Sequence, residues 1–460
     1  ASLALVASLD AMGSAASTSL KSAAAGATDQ ELAAALSQLN AADLQKLKSA
    51  VAGRQRVVVV GWGPVGHAVV AKLLAKSGAL QVVVISEENY PAYNRVKLTT
   101  FFEHRDPNQL ALSSVEWCQS NGVELLLGKA TKIDRAAKSV EYTTPKGEVK
   151  STAYDQLVLA TGSKPWLPPV PGLSLDVPGV HVYRTIDDLF QVTERAKNAK
   201  AAAVIGGGLL GLEAAKAAYD LKLETYVLEV APGLMPVQLD AEAGAMLKGK
   251  IESLGIKVHT GVKVLEVLTG DGGLQGVKIE VGGQEQVLDV QLLIVGAGVR
   301  PRQELAEASG LELGGRGGVK TDHTMRSVTD EHVWAVGEIA SYNGGMCYQL
   351  SAPGYTQAEV LADHLTNPGA DSKFMDADLS TKLKLLGVDV ASFGGSSDFW
   401  FKRQYTSTDP EQVQTTVAKD EASGCYKKLV FTADGTKLLG GILVGDISDF
   451  ASLTAVSKRA

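Results

Sequence analysis

One pattern occurs twice in the chain: a short apolar run, a glycine turn, a helical stretch, and a second apolar run closed by a glutamate. The first copy is Val57 to Val60, then Gly61-Trp62-Gly63-Pro64-Val65-Gly66, a helix from about Val65 to Ser77, and Val82 to Ile85, with Glu87 standing 21 residues beyond Gly66. The second begins about 145 residues later: Ala201 to Ile205, Gly206-Gly207-Gly208-Leu209-Leu210-Gly211, a helix from roughly Leu209 to Leu221, and Thr225 to Leu228, with Glu229 standing 18 residues beyond Gly211. Apolar runs of this length around a helical period read as βαβ units, and so as an α/β fold with parallel sheets. A G-x-G-x-x-G between strand and helix is what a dinucleotide requires. The first glycine permits the tight turn, the second lets a pyrophosphate approach the backbone, and the third lets the helix pack on the strand. The helix N-terminus supplies unpaired N–H groups and positive potential. Each glutamate is placed to accept hydrogen bonds from ribose hydroxyls.

Two such units in one chain call for a chemical reason, and the usual one is a nicotinamide in one site passing hydride to a flavin in the other. Further marks fit a flavoprotein. Ala160-Thr161-Gly162 closes the run Leu157 to Leu159, and Gly337-Glu338 closes Val333 to Val336, where Glu338 can accept a ribityl hydroxyl. A negative Glu229 repels a 2′-phosphate and bonds a free 2′-hydroxyl, and no arginine follows it closely, so NADH is expected over NADPH.

Composition narrows the partners. The 460 residues suggest about three domains. A net charge of −7 lacks the basic footprint that nucleic acid or an anionic membrane needs. Cys118, Cys347 and Cys425 stand far apart with no C-x-x-C, which argues against a disulfide framework, a thiolate metal cage or a redox-active pair, and fits a reducing compartment. The seven histidines show no metal-ligand spacing, so no metal is expected. The longest apolar stretch, Ala201 to Leu212, is broken by glycines and stops at Glu213, so no membrane span is expected. Residues 1–54, rich in Ala and Ser, read as a leader or linker with a helix through Asp29 to Leu47. Ala1 to Leu9 lacks the basic start of a secretory signal, and Asp10, Asp29, Glu31 and Asp43 are unusual in an organellar targeting peptide. Near the C-terminus, Tyr426 to Phe431 and Leu438 to Val444 flank Asp434-Gly435 as a hairpin.

With these motifs the chain resembles the pyridine nucleotide-disulfide oxidoreductase superfamily, and within it the FAD- and NAD-binding front half of the NAD(P)H-dependent nitrite reductase large subunits. Ala92-Tyr93-Asn94-Arg95-Val96-Lys97-Leu98, Val182-Tyr183-Arg184-Thr185, Gly298-Val299-Arg300-Pro301-Arg302 and Lys382 through Asp389 carry the likeness beside the glycine loops. It implies two Rossmann-like dinucleotide-binding domains, the NAD domain inserted into the FAD domain, plus a small C-terminal α+β domain. The expected limits are 55–180 and 292–367 for the two FAD parts, 181–291 for the NAD(P)H part and 368–460 for the last domain.

The resemblance further implies that Gly61, Gly63, Pro64, Val65, Gly66, Glu87 and Ala130 hold the ADP part of FAD. Ala160, Thr161, Gly162, Gly337 and Glu338 line its pyrophosphate and ribityl chain, while Gly206, Gly208, Leu209, Leu210, Gly211, Glu229 and Gly298 bind NADH. Arg95 matches a cationic position near the isoalloxazine, with Lys97 beside it, and Glu213 matches a carboxylate near the nicotinamide carboxamide. The implied reaction is hydride transfer from NADH to FAD, then electron release to an acceptor on a separate domain or protein, an iron–sulfur or sirohaem component in full-length relatives. The disulfide reductases of the superfamily carry a cysteine pair where Asn89 to Phe102 has none, so no dithiol relay is expected. Two rival readings remain: a ferredoxin or rubredoxin reductase, expected to lack the Lys382 to Asp389 run, and a redox sensor that binds FAD and NADH with slow turnover. Oligomeric state is left open, as is the compartment, cytoplasm or organelle interior.

Overall fold

The computed structural model describes residues 54–342, 345, 347–375, 377–385, 387–394 and 413–459. The helix expected through Asp29 to Leu47 lies outside them. The chain divides into two compact units. One comprises residues up to Asn94, Leu110–Ser163 and Pro301–Ala377; the other comprises Arg95–Gln109, Lys164–Arg300 and the residues from Asp378 on.

The first unit is built on a five-stranded parallel sheet in the order Val333–Ala335, Gln156–Leu159, Gln55–Val60, Leu80–Ser86, Glu124–Leu127. Val57 to Val60 and Val82 to Ile85 are buried without alternation, because both faces of the sheet are covered. On one face Val58, Val60, Val83, Ile85, Leu157 and Leu159 pack with Ile133, Val140 and Tyr142 of a three-stranded antiparallel sheet. Helix Pro64–Lys76 covers the other face and packs against helix Ser351–Thr366, where Lys76 pairs with Glu359 (2.6 Å) and Asp363 (2.7 Å). Strand Gln55–Val60 has Leu80–Ser86 on one side and Gln156–Leu159 on the other. The chain order therefore reverses beside the first glycine loop, which is where open α/β sheets hold ligands.

The second unit repeats the design with the order Lys257–Thr260, Glu224–Glu229, Ala201–Ile205, Leu292–Val295, Val180–Val182, all parallel. A three-stranded antiparallel sheet covers one face through Val267, Leu274, Val277 and Ile279. Helix Leu209–Asp220 covers the other, and its fully buried Ala214, Ala215, Ala217 and Ala218 let it lie close to the strands. Leu292–Val295 was expected to open the returning FAD part. It instead pairs in register with Ala202 to Ile205, and the first unit resumes at Pro301. An unbroken apolar run suits any doubly covered parallel sheet, so its pattern does not say which one it joins.

The same unit holds a five-stranded antiparallel sheet, ordered Thr381–Leu385, Val388–Gly394, Leu438–Val444, Cys425–Thr432, Val413–Asp420. The hairpin expected around Asp434-Gly435 is present. Gly435 has φ +71°, and Asp434 Oδ1 accepts from Thr432 Oγ1 (2.5 Å) and from Thr436 N (3.1 Å). Ala391, Phe393 and Leu443 on one face pack with Phe450 and Leu453 of helix Phe450–Arg459. Strands Val388–Gly394 and Leu438–Val444 also pack against helix Ala241–Glu252 of the same unit.

Candidate functional site

In the first unit Gly61 takes φ +113°, and a Cβ there would lie 2.3 Å from the Ala160 carbonyl oxygen. At Gly66 a Cβ would lie 2.1 Å from the Gly61 carbonyl oxygen. These glycines let the turn and the helix close onto the strands. Helix Pro64–Lys76 starts from an extended Gly63 with proline at its first position, and no side chain caps it. Its first-turn N–H groups are therefore left to an anion. Val65 is wedged between Gly337 and Gly354, where added Cβ atoms would come within 3.4 and 2.5 Å of it. Gly337 N donates to Oε1 of the fully buried Gln357 (2.7 Å), and Glu338 accepts from Ser163 Oγ (2.9 Å).

Arg302 joins the remaining pieces. Its amide donates to Gly162 O (2.9 Å), its carbonyl accepts from Thr161 Oγ1 (3.0 Å), and its Nη1 donates to Glu87 Oε2 (2.7 Å). Lys129 lies 3.6 Å from Glu87 Oε1, and Ala130 beside it packs on the same core. Gly61, Gly63, Pro64, Val65, Gly66, Glu87, Ala130, Ala160, Thr161, Gly162, Gly337 and Glu338 thus all lie in one unit. Sequence reasoning gave no role to Arg302, Gln357 or Gly354, whose partners Glu87, Gly337 and Val65 it could not pair with them.

In the second unit Gly206 takes φ +114°, with a virtual Cβ 2.4 Å from Gly296 O; a Cβ at Gly211 would lie 2.0 Å from Gly206 O. Gly208 differs. Its φ is an ordinary −82°, it starts a helix that no side chain caps, and a Cβ there would meet nothing within 4 Å. Neither a positive φ nor close packing requires glycine at 208. Leu209 and Leu210 form the first helical turn, half-buried, and Gly298 (φ +103°) also faces open space. The carboxylate of Glu229, itself buried, accepts from Gly207 N (2.5 Å) and Ala231 N (2.7 Å).

Glu213 lies one turn into that helix, partly buried, with no hydrogen bond or ion pair among the described residues. Burial pushes its carboxyl up to about 8. The short 3-10 helix Arg95–Thr100 packs against the same helix. Arg95 Nη1 donates to Arg184 O (2.7 Å), Lys97 is exposed, and the buried Tyr183 donates to Thr99 Oγ1 (3.3 Å). Burial raises the Tyr183 hydroxyl above its ordinary range, and the nearby Glu213 adds to this. Arg95 and Lys97, expected near the flavin ring, thus fall in the second unit with Glu213.

Two glycine-cradled helix N-termini, each uncapped and each backed by a strand-end glutamate, define a protein that handles two dinucleotides. The chain belongs to the pyridine nucleotide-disulphide oxidoreductase family, whose sequence pattern matches residues 55–360; residues 380–459 match the rubredoxin NAD+ reductase C-terminal domain. It is 44% identical over 403 residues to the nitrite reductase [NAD(P)H] large subunit of Klebsiella oxytoca, covering 86% of this chain and 39% of that one. Against the nitrite reductase (NADH) large subunit of Escherichia coli it is 38% identical over 408 residues, covering 88% and 46%. A solved ferredoxin reductase from Rhodopseudomonas palustris superposes with a TM-score of 0.74 at 25% identity, covering 86% and 93%. The chain spans about two fifths to half the length of these curated relatives.

Its family is one of pyridine nucleotide-dependent oxidoreductases. The Lys382 to Asp389 run lies inside the segment that matches the rubredoxin NAD+ reductase C-terminal domain. Among the described residues Cys118, Cys347 and Cys425 form no disulfide, and no helix is long and apolar enough to cross a membrane. Both cradles fit a dinucleotide: the packed glycines close each turn, the helix ends are uncapped, and space stands open at Gly208.

Proposed function

We propose that the chain oxidises NADH in preference to NADPH at the second loop and, with FAD at the first, delivers electrons to an acceptor on a separate domain or protein. This is the nicotinamide-oxidising half of nitrite reduction. Glu229 carries the reading. Its two backbone hydrogen bonds fix a carboxylate at the strand end where the adenosine ribose falls. It accepts from a free 2′-hydroxyl and repels a 2′-phosphate, and the residues that follow, Val230 and Ala231, supply no cation.

Bound FAD supplies an acceptor for hydride and a route for passing electrons onward. The protein's own residues do the holding. The first-turn amides of helix Pro64–Lys76 would hold the pyrophosphate, Glu87 would accept from ribose hydroxyls, and Thr161, Gly162, Gly337 and Glu338 would hold the ribityl side. Glu213, holding a proton at neutral pH, offers an O–H donor to the nicotinamide carboxamide.

Glu229→Gln should lower the NADH/NADPH ratio of kcat/KM by about tenfold to 100-fold, as expected for losing a charge-assisted hydrogen bond and the repulsion together; an unchanged ratio would sink the preference. Arg302→Ala should raise the FAD dissociation constant only about threefold, since its pair with Glu87 is half-exposed and such pairs contribute about 1 kcal/mol or less. Flavin released on ultrafiltration measures it, and no change would remove Arg302 from the cofactor's support.

A second reading sends the electrons to a small iron–sulfur protein. The rubredoxin-reductase character of residues 380–459 favours it. Anaerobic mixing with NADH tests both against a slow sensor: bleaching of the flavin within seconds, followed by transfer to one acceptor and not the other, decides among them.

A further inference from the structure

The segment after Glu229 is tied at both ends. Near its start, the Glu229 carboxylate binds Gly207 N and Ala231 N, and Leu234 leaves no room for a side chain at Gly207, where a Cβ would come within 2.6 Å of Leu234 Cδ2. In the middle, the fully buried Met235 donates its amide to Gly207 O (2.9 Å) and accepts at its carbonyl from Gln238 N and Leu239 N (both 2.9 Å). Met235 has φ +49°, a left-handed conformation that a non-glycine residue keeps only when its surroundings over-determine it. The segment ends at Asp240. Its Oδ1 caps helix Ala241–Glu252 by accepting from Ala243 N (3.0 Å). Its Oδ2 accepts from Tyr426 Oη (2.9 Å) and Lys428 Nζ (3.0 Å) of the C-terminal sheet.

Capping alone needs one carboxylate oxygen; the other is committed to the C-terminal domain. Tyr426 is almost fully buried and Lys428 mostly so, which gives these bonds more weight than an exposed pair has. Burial works against charge on Asp240, but the Ala243 amide, Lys428 and Tyr426 outweigh it and hold the carboxyl below its ordinary range. We infer that Tyr426 and Lys428 are positioning residues for the adenosine end of the nicotinamide nucleotide: through Asp240 they keep residues 229–240 seated on the Gly207 turn. The C-terminal domain then helps form the nucleotide site, whatever else it docks. This rests on the reading that the second loop holds NAD(P)H.

The full chain with its FAD is titrated calorimetrically with ADP-ribose, the unreactive part of the nucleotide that this site would grip. The double variant Tyr426→Phe/Lys428→Met should raise the ADP-ribose Kd by about fivefold to tenfold, the size of a typical coupling between linked sites, with FAD content unchanged. KM for NADH should rise with little change in kcat, and Lys428→Arg should bind ADP-ribose as the parent does. Should the double variant not fold, Asp240→Asn keeps the cap, since Asn caps as well as Asp, and should still weaken ADP-ribose. An unchanged Kd in the double variant, with Glu229→Gln weakened, would overturn the proposal and leave the nucleotide site standing. An unchanged Kd in Glu229→Gln as well would overturn the nucleotide reading itself, and the inference with it.

Discussion

Gly66→Ala should yield a colourless protein, and Gly211→Ala a yellow one that NADH does not bleach. The added methyl meets backbone in both cases, 2.1 Å from Gly61 O in the first loop and 2.0 Å from Gly206 O in the second. Neither oxygen can rotate away, so each helix must lift from its strand and carry its first-turn amides off the phosphates. Forced repacking of this kind costs about 1–3 kcal/mol or more. Because the displaced backbone is itself the cradle, a loss of about 100-fold in affinity for the corresponding nucleotide is expected. Flavin absorbance of the purified variants and an anaerobic NADH titration read the two sites separately. If Gly66→Ala kept its flavin and lost NADH binding, the assignment of FAD to the first loop would be reversed.

The second large effect concerns Glu213. Its carboxyl is raised to about 8 by burial, from an ordinary 4.5. Between these values the folded chain holds a proton that the unfolded chain has released. Stability from this group is therefore complete below about pH 4.5 and falls as pH rises toward 8, by about 1.4 kcal/mol per pH unit, levelling off above. Glu213→Gln has no such titration. Unfolding in urea should show the variant gaining on the parent by a few kcal/mol, on the order of 3–5, between pH 5 and pH 9. Parallel stability curves for the two proteins would show that the carboxyl is charged and partnered in the fold. The same exchange keeps an N–H donor in place of the O–H, so affinity for NADH at neutral pH should change much less than stability at pH 9.

The glycine loops were legible because their chemistry is local: spacing alone places Gly61, Gly66, Gly206 and Gly211 between strand and helix, and Glu87 and Glu229 at strand ends. What escaped was addressing. Leu292–Val295 carries no mark of the sheet it joins, and Arg95–Gln109 leaves the first unit for the second although its sequence neighbours stay behind. Arg302 on Glu87, Gln357 on Gly337 and Asp240 under Tyr426 are partnerships across 215, 20 and 186 residues. Arg302 closes a run that carries the family likeness, yet no periodicity or motif announces the partner in any of the three. The turns and helix starts were therefore readable, and the residues that brace them were not.

The empty surroundings of Gly208 have a practical use. A methyl group placed there would strain no bond of the host and crowd only the guest, so Gly208→Ala should fold and melt like the parent while gripping the coenzyme less firmly. On the proposed reading, that position would act as a dimmer for the incoming electron supply, allowing flux to be turned down in small steps.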